Sequence, residues 1–341
     1  MKRLLAAALA ASLLLACTGK SPAPAGQQTI RVGYFPNITH SQALVGLARG
    51  DFQRALGDGV TIKPTTFNAG PSVIEALFGG ELDLAYIGPN PAINGFVQSK
   101  GEALRVVAGA TSGGAALVVR KDAGIAGPAD LAGRKLASPQ LGNTQDVALR
   151  AWLGRNGLAS RDKGGSVDVI PTQNPQILDL FRRGDIDGAW VPEPWASRLV
   201  VDGGGVILVD ERTLWPGGDF VTAHVIVSTK FLREHPDLVR TWLEAHVAVT
   251  EWELAHPDDA KRVLNDEIGK LTGKKLSDAV LAQAWERMRP TWDPIAPSLV
   301  ASADAAHAAG FLREKPNLDG IYDLTLLNEI LRAKTLPEIA K

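Results

Sequence analysis

Apolar and polar positions alternate along the chain in a pattern that predicts strands separated by helices. In the first third, helical patterns begin near His40, Pro71 and Pro91, each between two short apolar runs. Strands that alternate with helices in this way are typical of parallel β-α-β units. The apolar runs of strand length span residues 30–35, 60–67, 82–87, 104–109 and 116–119.

A second set of the same kind follows, and the remainder of the chain is helical. Apolar residues from Leu238 to Trp252 recur at helical spacing and predict a helix that packs into the core. The pattern therefore predicts an α/β fold with two successive lobes and a helical C-terminal part. The later strand-like runs span residues 134–137, 167–170, 186–191, 206–209 and 220–227, and the later helical patterns span 257–268, 277–288, 298–309 and 324–332.

Polar or glycine-rich segments follow the predicted strands, at the points where helices begin. Ligands of open α/β sheets bind outside the carboxyl ends of the strands, so we expect these segments to converge on one rim. Helix N-termini, backbone N–H groups and hydroxyls at such a rim can hold a small oxyanion. The candidate ligand-binding residues are His40, Gln42, Ser72, Asn90, Ser112, Gly113, Asn143, Thr144, Glu193 and Trp195.

Several of these candidates also have a purely structural interpretation. Asn143 and Thr144 stand where a helix should begin, so their side chains either cap that helix or face the cleft. Glu193 is either a ligand contact or a charge at a helix N-terminus. Trp195 either stacks on the ligand or fills the lobe. The pattern alone leaves these alternatives open.

Composition narrows the classes of function. The chain has 341 residues, enough for two compact lobes, with 45% hydrophobic and 21% charged residues and a net charge of −1. This charge balance argues against nucleic acid and anionic membrane surfaces as partners. The six histidines lack the spacing of a metal site, and Gly269–Lys274 is one residue shorter than a phosphate-binding loop. We therefore expect no metal, no cofactor and no enzymatic activity.

The first residues have the pattern of a targeting signal. Two basic residues precede an apolar run at 4–16, which is too short to span a bilayer comfortably, and Cys17 follows directly. This order resembles a bacterial lipoprotein signal, in which the cysteine is lipidated and becomes the new N-terminus. Cys17 is the only cysteine, so no disulfide can form within the chain. We expect residues 1–17 to be the signal and residues 18–28 to be a flexible tether.

Short motifs in a specific order resemble the nitrate/sulfonate/taurine-binding family, a group of extracytoplasmic solute-binding proteins of ABC importers. The aliphatic sulfonate-binding proteins belong to this group. The resemblance spans about residues 29–310, although each motif alone is short. The motifs are Ile30–Tyr34, Glu75–Leu77, Gly80–Ala85, Gly127–Lys135, Gly142–Thr144, Leu180–Asp187, Ala189–Trp195 and His235–Pro236.

The resemblance implies a type II periplasmic-binding-protein fold, in which two α/β lobes joined by two crossovers close on a small-molecule ligand. It implies that residues 29–113 and 224–341 form the first lobe and that residues 114–223 form the second. The crossovers are expected near 113–117 and 222–225. The partner is then an ABC permease, and the protein is a lipid-anchored monomer in the periplasm or at the outer face of the cytoplasmic membrane.

The chemistry of the ligand stays open at this stage. The family implies a sulfonate or a related oxyanion, and the predicted rim segments, which contain no Lys or Arg, suit such a ligand or a neutral polar solute. A pyrimidine thiamine precursor or another nitrogen-containing solute is the alternative, which Glu193 would favour. A lipid-anchored enzyme and a sensor are alternatives of another class, and the absence of a catalytic residue set argues against the enzyme.

Overall fold

Two β-sheets flanked by helices form the framework of the protein. They are seen in a computed structural model that describes residues 28–340. The first sheet has six strands and the second has five. The strands are β1 (Gln28–Tyr34), β2 (Val60–Thr66), β3 (Leu84–Ile87), β4 (Leu104–Gly113), β5 (Ala115–Arg120), β6 (Lys135–Ser138), β7 (Asp168–Pro171), β8 (Gly188–Pro192), β9 (Gly205–Asp210), β10 (Val221–Ser228) and β11 (Met288–Pro290).

Helices follow most of the strands and dominate the last third of the described chain. Within residues 28–340, no helix is both long enough and apolar enough to cross a membrane. The helices are α1 (Ser41–Arg49), α2 (Asp51–Leu56), α3 (Gly70–Phe78), α4 (Pro89–Gln98), α5 (Thr144–Arg155), α6 (Asn174–Arg183), α7 (Trp195–Val201), α8 (Thr229–Glu234), α9 (Pro236–Ala255), α10 (Pro257–Thr272), α11 (Asp278–Glu286), α12 (Ala296–Ala308) and α13 (Thr325–Ala333).

The strand order of each sheet combines parallel units with one or two strands that run the other way. The first sheet has the order β11-β4-β10-β3-β1-β2, and the second has the order β7-β6-β8-β5-β9. β1 is parallel to β2 and β3, and β6 is parallel to β7 and β8, as the alternating pattern predicts. β10 is antiparallel to β3 and β4, and β5 is antiparallel to β8 and β9.

Antiparallel pairs occur where the chain passes from one sheet to the other. β4 leads out of the first sheet towards the second, whereas β10 brings the chain back at the same end. Two neighbouring strands that leave and enter a sheet at one end must run in opposite directions. Between β4 and β5 the chain turns at Gly113 and Gly114, whose φ angles of 76° and 80° lie in the left-handed region that favours glycine.

Each sheet buries apolar side chains against its helices. The apolar stripe of α9 lies in the core as predicted, with Trp242 fully buried and its ring stacked on Phe52 at 3.9 Å between centroids. Trp190 on β8 is fully buried in the second sheet and meets Trp152 of α5 edge to face at 5.9 Å. The sheets thus have separate cores, and the polar strand ends lie between them.

The C-terminal helices connect the two halves of the molecule. α12 packs against α5, and α11 packs against α7, so helices that follow the first sheet contact helices of the second. The short strand β11 pairs with β4 at the edge of the first sheet. The apolar pattern does not predict β11, because a strand of three residues is too short for its alternation to be recognised.

Candidate functional site

The strand ends of both sheets enclose a small cavity of about 30 Å³. The loops after β1, β2 and β3 line one side, and the loops after β6, β7 and β8 line the other. None of the described residues that line this cavity is charged. We call this space the neutral site; its lining residues are Phe35, Asn37, Thr39, His40, Asn68, Ala69, Gly70, Gly88, Pro91, Pro139, Asn143, Thr144, Gln145, Asn174, Pro192 and Thr222.

Two buried polar side chains of the neutral site have no hydrogen-bond partner. Thr144 is the first residue of α5, and its Oγ1 is unpartnered although the residue is only 8% exposed. Asn174 is the first residue of α6, is 4% exposed, and leaves its Oδ1 unpartnered. A buried polar group without a partner costs free energy, so both side chains are ready to receive one.

His40 supplies a neutral hydrogen-bond donor from the first sheet. The backbone N–H of Phe35 donates to His40 Nδ1 at 3.4 Å, and the two rings lie 4.3 Å apart. Burial lowers the pKa of His40 to about 3, so its imidazole is neutral at physiological pH. A neutral imidazole whose Nδ1 accepts a bond carries its proton on Nε2. His40 is therefore a donor that brings no charge.

Direct contacts join the two sides of the cavity. Trp195 Nε1 donates to Asn37 Oδ1 at 2.9 Å, and Asn68 Nδ2 donates to Gln173 Oε1 at 3.3 Å. Thr144 lies so close to Gly88 that a β-carbon added at Gly88 would lie 2.3 Å from Thr144 Oγ1. The two halves are thus in contact around the neutral site.

Three of the predicted residues line the neutral site, namely His40, Asn143 and Thr144. Asn143 has both of the roles considered for it, because it caps a helix and also lines the cavity. Its Oδ1 accepts the Asp146 N–H at 2.8 Å as the N-cap of α5, while the residue also faces the cavity. Thr144 makes no such cap, because its hydroxyl has no partner.

Seven of the ten predicted residues do not line the neutral site, and most of them have other partners. Gln42 Nε2 donates to Ala110 O at 2.6 Å, Asn90 Nδ2 to Ser302 O at 3.0 Å, and Ser112 Oγ to Asp219 Oδ1 at 3.0 Å. Gly113 forms the turn between the sheets, where its N–H donates to Phe220 O and its carbonyl accepts the Thr222 hydroxyl. Ser72 is half-buried in the first turn of α3.

Glu193 and Trp195 also lie outside the lining of the neutral site. Glu193 is fully buried, with its oxygens bonded by the N–H and hydroxyl of Ser197 and by Arg287 Nη1 at 3.1 Å. Burial raises the pKa of Glu193, while Ser197 and Arg287 oppose the rise. Trp195 reaches the site only through Asn37, and the Arg198 guanidinium lies over its ring at 4.6 Å.

Sequence reasoning missed several residues that the fold brings to the cavity. Asn174 opens α6 in the same strand–loop–helix context as Asn143, so the signal for it was present in the sequence. Asn37 and Asn68 lie in the polar segments that follow the predicted strands 30–35 and 60–67, although they were not among the candidates. Thr222 lies on the returning strand β10, where nothing in the local sequence marks it as part of a site.

Two larger cavities flank the neutral site. One of about 460 Å³ shares Thr144 with it and lies between α5 and α12. The other, of about 390 Å³, shares Asn37, Asn68 and Asn174 with it. Among the described residues, no cluster of His, Cys, Asp or Glu is suited to a metal ion. The arrangement can therefore bind a small polar group in the centre, with room beside it.

The sequence profile of the NMT1-like family matches residues 23–265, well over half of the chain. The chain is 29% identical over 212 residues to the taurine-binding periplasmic protein of Escherichia coli (strain K12), which covers 62% of this chain and 63% of that relative. It is 26% identical over 339 residues to a protein of Bacillus subtilis (strain 168) named for binding aliphatic sulfonates, covering 97% of both.

Solved structures show the same fold. The alkanesulfonate-binding protein SsuA from Xanthomonas axonopodis pv. citri, bound to MOPS, superposes with a TM-score of 0.71 at 21% identity, over 88% of this chain and 99% of that one. The desulfurization enzyme DszB superposes with a TM-score of 0.63 at 20% identity, over 90% and 100%. The fold is therefore that of periplasmic solute-binding proteins, and it is also found in an enzyme.

Proposed function

We propose that this chain, which belongs to the NMT1-like family, is the extracytoplasmic solute-binding component of an ABC importer. It captures a small sulfonate or a related oxyanion between its two halves and delivers it to a membrane permease. The observation that carries the proposal is the neutral site, where unpartnered polar groups converge without a charged side chain. The names of the sulfonate- and taurine-binding relatives support it.

Neutral donors suffice to hold such an anion. The N-termini of α5 and α6 begin at Thr144 and Asn174 and direct backbone N–H groups and positive dipole ends towards the cavity. The Thr144 hydroxyl and His40 Nε2–H add donors from opposite sides. Because the effective dielectric constant inside a protein is lower than in water, each bond to an anion there is worth more than it is at the surface. These groups can donate hydrogen bonds to a sulfonate at every pH at which His40 is neutral.

In this proposal the protein binds its ligand and makes no covalent change to it. The only cysteine of the chain is Cys17, outside the described residues, so residues 28–340 contain no thiol for covalent chemistry. Glu193, which was considered as a partner for a nitrogen-containing solute, is committed to Ser197 and Arg287. We therefore favour the oxyanion over the pyrimidine alternative and the binding protein over the enzyme.

The location and assembly of the protein form part of the same proposal. The relative from Escherichia coli is named as periplasmic. Cys17 and the leader lie outside the described residues, and we propose that lipid on Cys17 holds the protein at a membrane surface as a monomer. We also propose that residues 29–113 with 224–341 and residues 114–223 are the two lobes. They would move about the turn at Gly113 and Gly114.

Calorimetric titration of the purified protein with taurine, methanesulfonate, nitrate, bicarbonate and a pyrimidine tests the ligand class. Thr144→Val removes the unpartnered hydroxyl and keeps the side-chain shape. Since a bond to a charged group contributes about 1.5–3 kcal/mol, we expect sulfonate affinity to fall about 10-fold to 150-fold. Thr229→Val is the matched control, because Thr229 also opens a helix with an unpartnered hydroxyl but does not line the cavity.

Two results would contradict the proposal. If no sulfonate or other oxyanion bound the wild-type protein, the ligand class would be wrong. If a sulfonate bound and both threonine variants retained wild-type affinity, the ligand would lie elsewhere and the neutral site would have to be abandoned.

A further inference from the structure

The cavity of about 390 Å³ beside the neutral site is rich in amide and charged side chains. It shares Asn37, Asn68 and Asn174 with the neutral site and extends from them to Arg198 and Lys274. We call it the polar cavity. Its volume lies within the range of about 300–1,000 Å³ that small-molecule sites occupy, whereas the neutral site measures about 30 Å³. A ligand with its anionic group in the neutral site therefore has room for a further group here.

Asn174 shows which chemistry this further group must bring. The residue is buried, lines both cavities, and leaves its Oδ1 without a hydrogen-bond partner. An amide oxygen is an acceptor, so an oxyanion cannot satisfy it, whereas an N–H or O–H group of the ligand can. A buried acceptor without a partner costs free energy, and a ligand that donates to it removes that cost.

Two more amide groups lie where the cavities meet, and each uses only one of its ends. Asn37 Oδ1 accepts the Trp195 Nε1–H at 2.9 Å, and Asn68 Nδ2 donates to Gln173 Oε1 at 3.3 Å. The other ends, Asn37 Nδ2 and Asn68 Oδ1, form no hydrogen bond with any residue that the structure describes. The polar cavity thus offers a donor as well as acceptors. A hydroxyl group can serve both, because it donates one hydrogen bond and accepts others.

The charges of the polar cavity disfavour an ammonium group as the donor. Arg198 pairs with Asp202 at 3.3 Å, and Lys275 pairs with Asp266 at 2.6 Å. Lys274 adds a further positive charge, and Asp202 is the one carboxylate among the described residues that line the cavity. A ligand ammonium would therefore meet an excess of like charge, which is unfavourable. A neutral hydroxyl group avoids this repulsion.

A second anionic group fits poorly for a different reason. Anionic oxygens only accept hydrogen bonds, so they would leave Asn174 Oδ1 without a partner. The rings of Phe67 and Trp195 line the same cavity and provide apolar faces for the carbon atoms of a hydroxylated ligand. The cavity between α5 and α12 meets the neutral site at Thr144 alone, and the proposed function assigns that hydroxyl to the anion.

We infer that the polar cavity receives a hydroxylated substituent of the ligand, so that the protein selects sulfonates of polyols or sugars over taurine and unsubstituted alkanesulfonates. The inference rests on the proposed function, since it places the anionic group in the neutral site. Asn174, which lines both cavities, is the residue that sets this specificity.

Calorimetric titration of the wild-type protein with four sulfonates tests this inference. They are ethanesulfonate, 2-hydroxyethanesulfonate, taurine and a glucose that carries a sulfonate in place of its C6 hydroxyl. The first two differ by a single hydroxyl group, so one hydrogen bond should make hydroxyethanesulfonate bind about threefold to tenfold more tightly than ethanesulfonate. The sulfonated sugar offers several hydroxyls and should exceed ethanesulfonate at least about tenfold. Taurine should bind more weakly than hydroxyethanesulfonate.

Two variants locate the effect in the polar cavity. Asn174→Leu removes the acceptor at similar volume and should bring the ratio of hydroxyethanesulfonate affinity to ethanesulfonate affinity close to one. A general weakening of lobe contact would leave that ratio unchanged. Lys274→Glu reverses a charge of the cavity and should raise taurine affinity severalfold relative to hydroxyethanesulfonate affinity. Lys121→Glu is the matched control, because Lys121 is exposed and lines neither the polar cavity nor the neutral site.

The inference is overturned if wild-type protein binds hydroxyethanesulfonate no more tightly than ethanesulfonate, or if Asn174→Leu leaves their affinity ratio unchanged. Tighter binding of taurine than of hydroxyethanesulfonate would assign the polar cavity to an ammonium group and would also overturn it. A sulfonated sugar that binds more weakly than ethanesulfonate would rule out a polyol or sugar. Failure of all four sulfonates to bind the wild-type protein would instead reject the sulfonate of the proposed function.

Discussion

Gly88→Ala tests whether the contact between the two halves is the ligand-holding arrangement. The added β-carbon would lie 2.3 Å from Thr144 Oγ1 on the opposite side of the cavity, and 3.5 Å from Thr222 O on strand β10 of the first sheet. Only the contact across the cavity is therefore too short. Gly88 has φ −70° and ψ 159°, a conformation that alanine adopts before proline without strain. We expect the substitution to leave the first sheet intact and to prevent full closure.

The size of the effect follows from the geometry. A carbon–oxygen contact of 2.3 Å is about 1 Å shorter than a comfortable separation. If the halves separate by that amount, the 2.9 Å bond between Trp195 Nε1 and Asn37 Oδ1 passes out of hydrogen-bonding range. A ligand bonded from both sides loses one charged-group bond, so we expect affinity to fall about 10-fold to 150-fold.

Calorimetric titration measures the affinity, and small-angle scattering with and without ligand measures compaction. Wild-type protein should show a lower radius of gyration with ligand, and Gly88→Ala a smaller decrease. Gly59→Ala is the control, because a β-carbon at Gly59 meets nothing within 4 Å. Unchanged affinity and unchanged compaction in Gly88→Ala, with a melting temperature equal to that of wild type, would refute the closure reasoning.

Three further predictions concern other parts of the chain. Cys17→Ala should move the protein from the membrane fraction to the soluble fraction, and unchanged fractionation with unchanged leader cleavage would exclude the lipid anchor. Trp195→Phe removes the bond to Asn37 and should weaken ligand binding about threefold to tenfold in titration, with an unchanged affinity counting against its closing role. Burial raises the pKa of Glu253 to about 8, so the folded state holds a proton that the unfolded state releases. Glu253 alone makes stability fall as pH rises from about 4.5 to about 8, whereas the buried histidines, protonated only in the unfolded state, make it rise through about pH 6.5. Between pH 5 and 8 the melting temperature of Glu253→Gln should therefore shift upward relative to that of wild type as pH rises.

The apolar pattern was sufficient to predict most of the framework. Strand β2 was predicted at 60–67 and lies at Val60–Thr66, and the helix expected to begin near Pro91 begins at Pro89. Buried strands and amphipathic helices carry their periodicity locally, so one sequence reveals them. The direction of β10 and the existence of β11 depend on pairing with β4, and local periodicity contains no information about a distant partner.

The candidate site was harder to predict because polar side chains at a strand end can point in several directions. Gln42 and Thr144 both stand near a helix start, yet Gln42 turns towards α9 and also contacts Thr250, 208 residues away in sequence. Glu193 is likewise engaged by Arg287, which is 94 residues away. The residue type shows that a side chain can form a hydrogen bond. Only the fold shows whether another group of the protein already makes that bond.

Unpartnered atoms therefore mark a binding site better than residue types do. Seven buried side-chain atoms in the described part of the chain lack a hydrogen-bond partner, and two of them, on Thr144 and Asn174, line the same small cavity. Both belong to the first residue of a helix, where backbone N–H groups are also free. A folded chain tolerates such a cost where a ligand removes it. An oxyanion can accept from the Thr144 hydroxyl, whereas Asn174 Oδ1 is an acceptor and needs an N–H or O–H donor on the ligand.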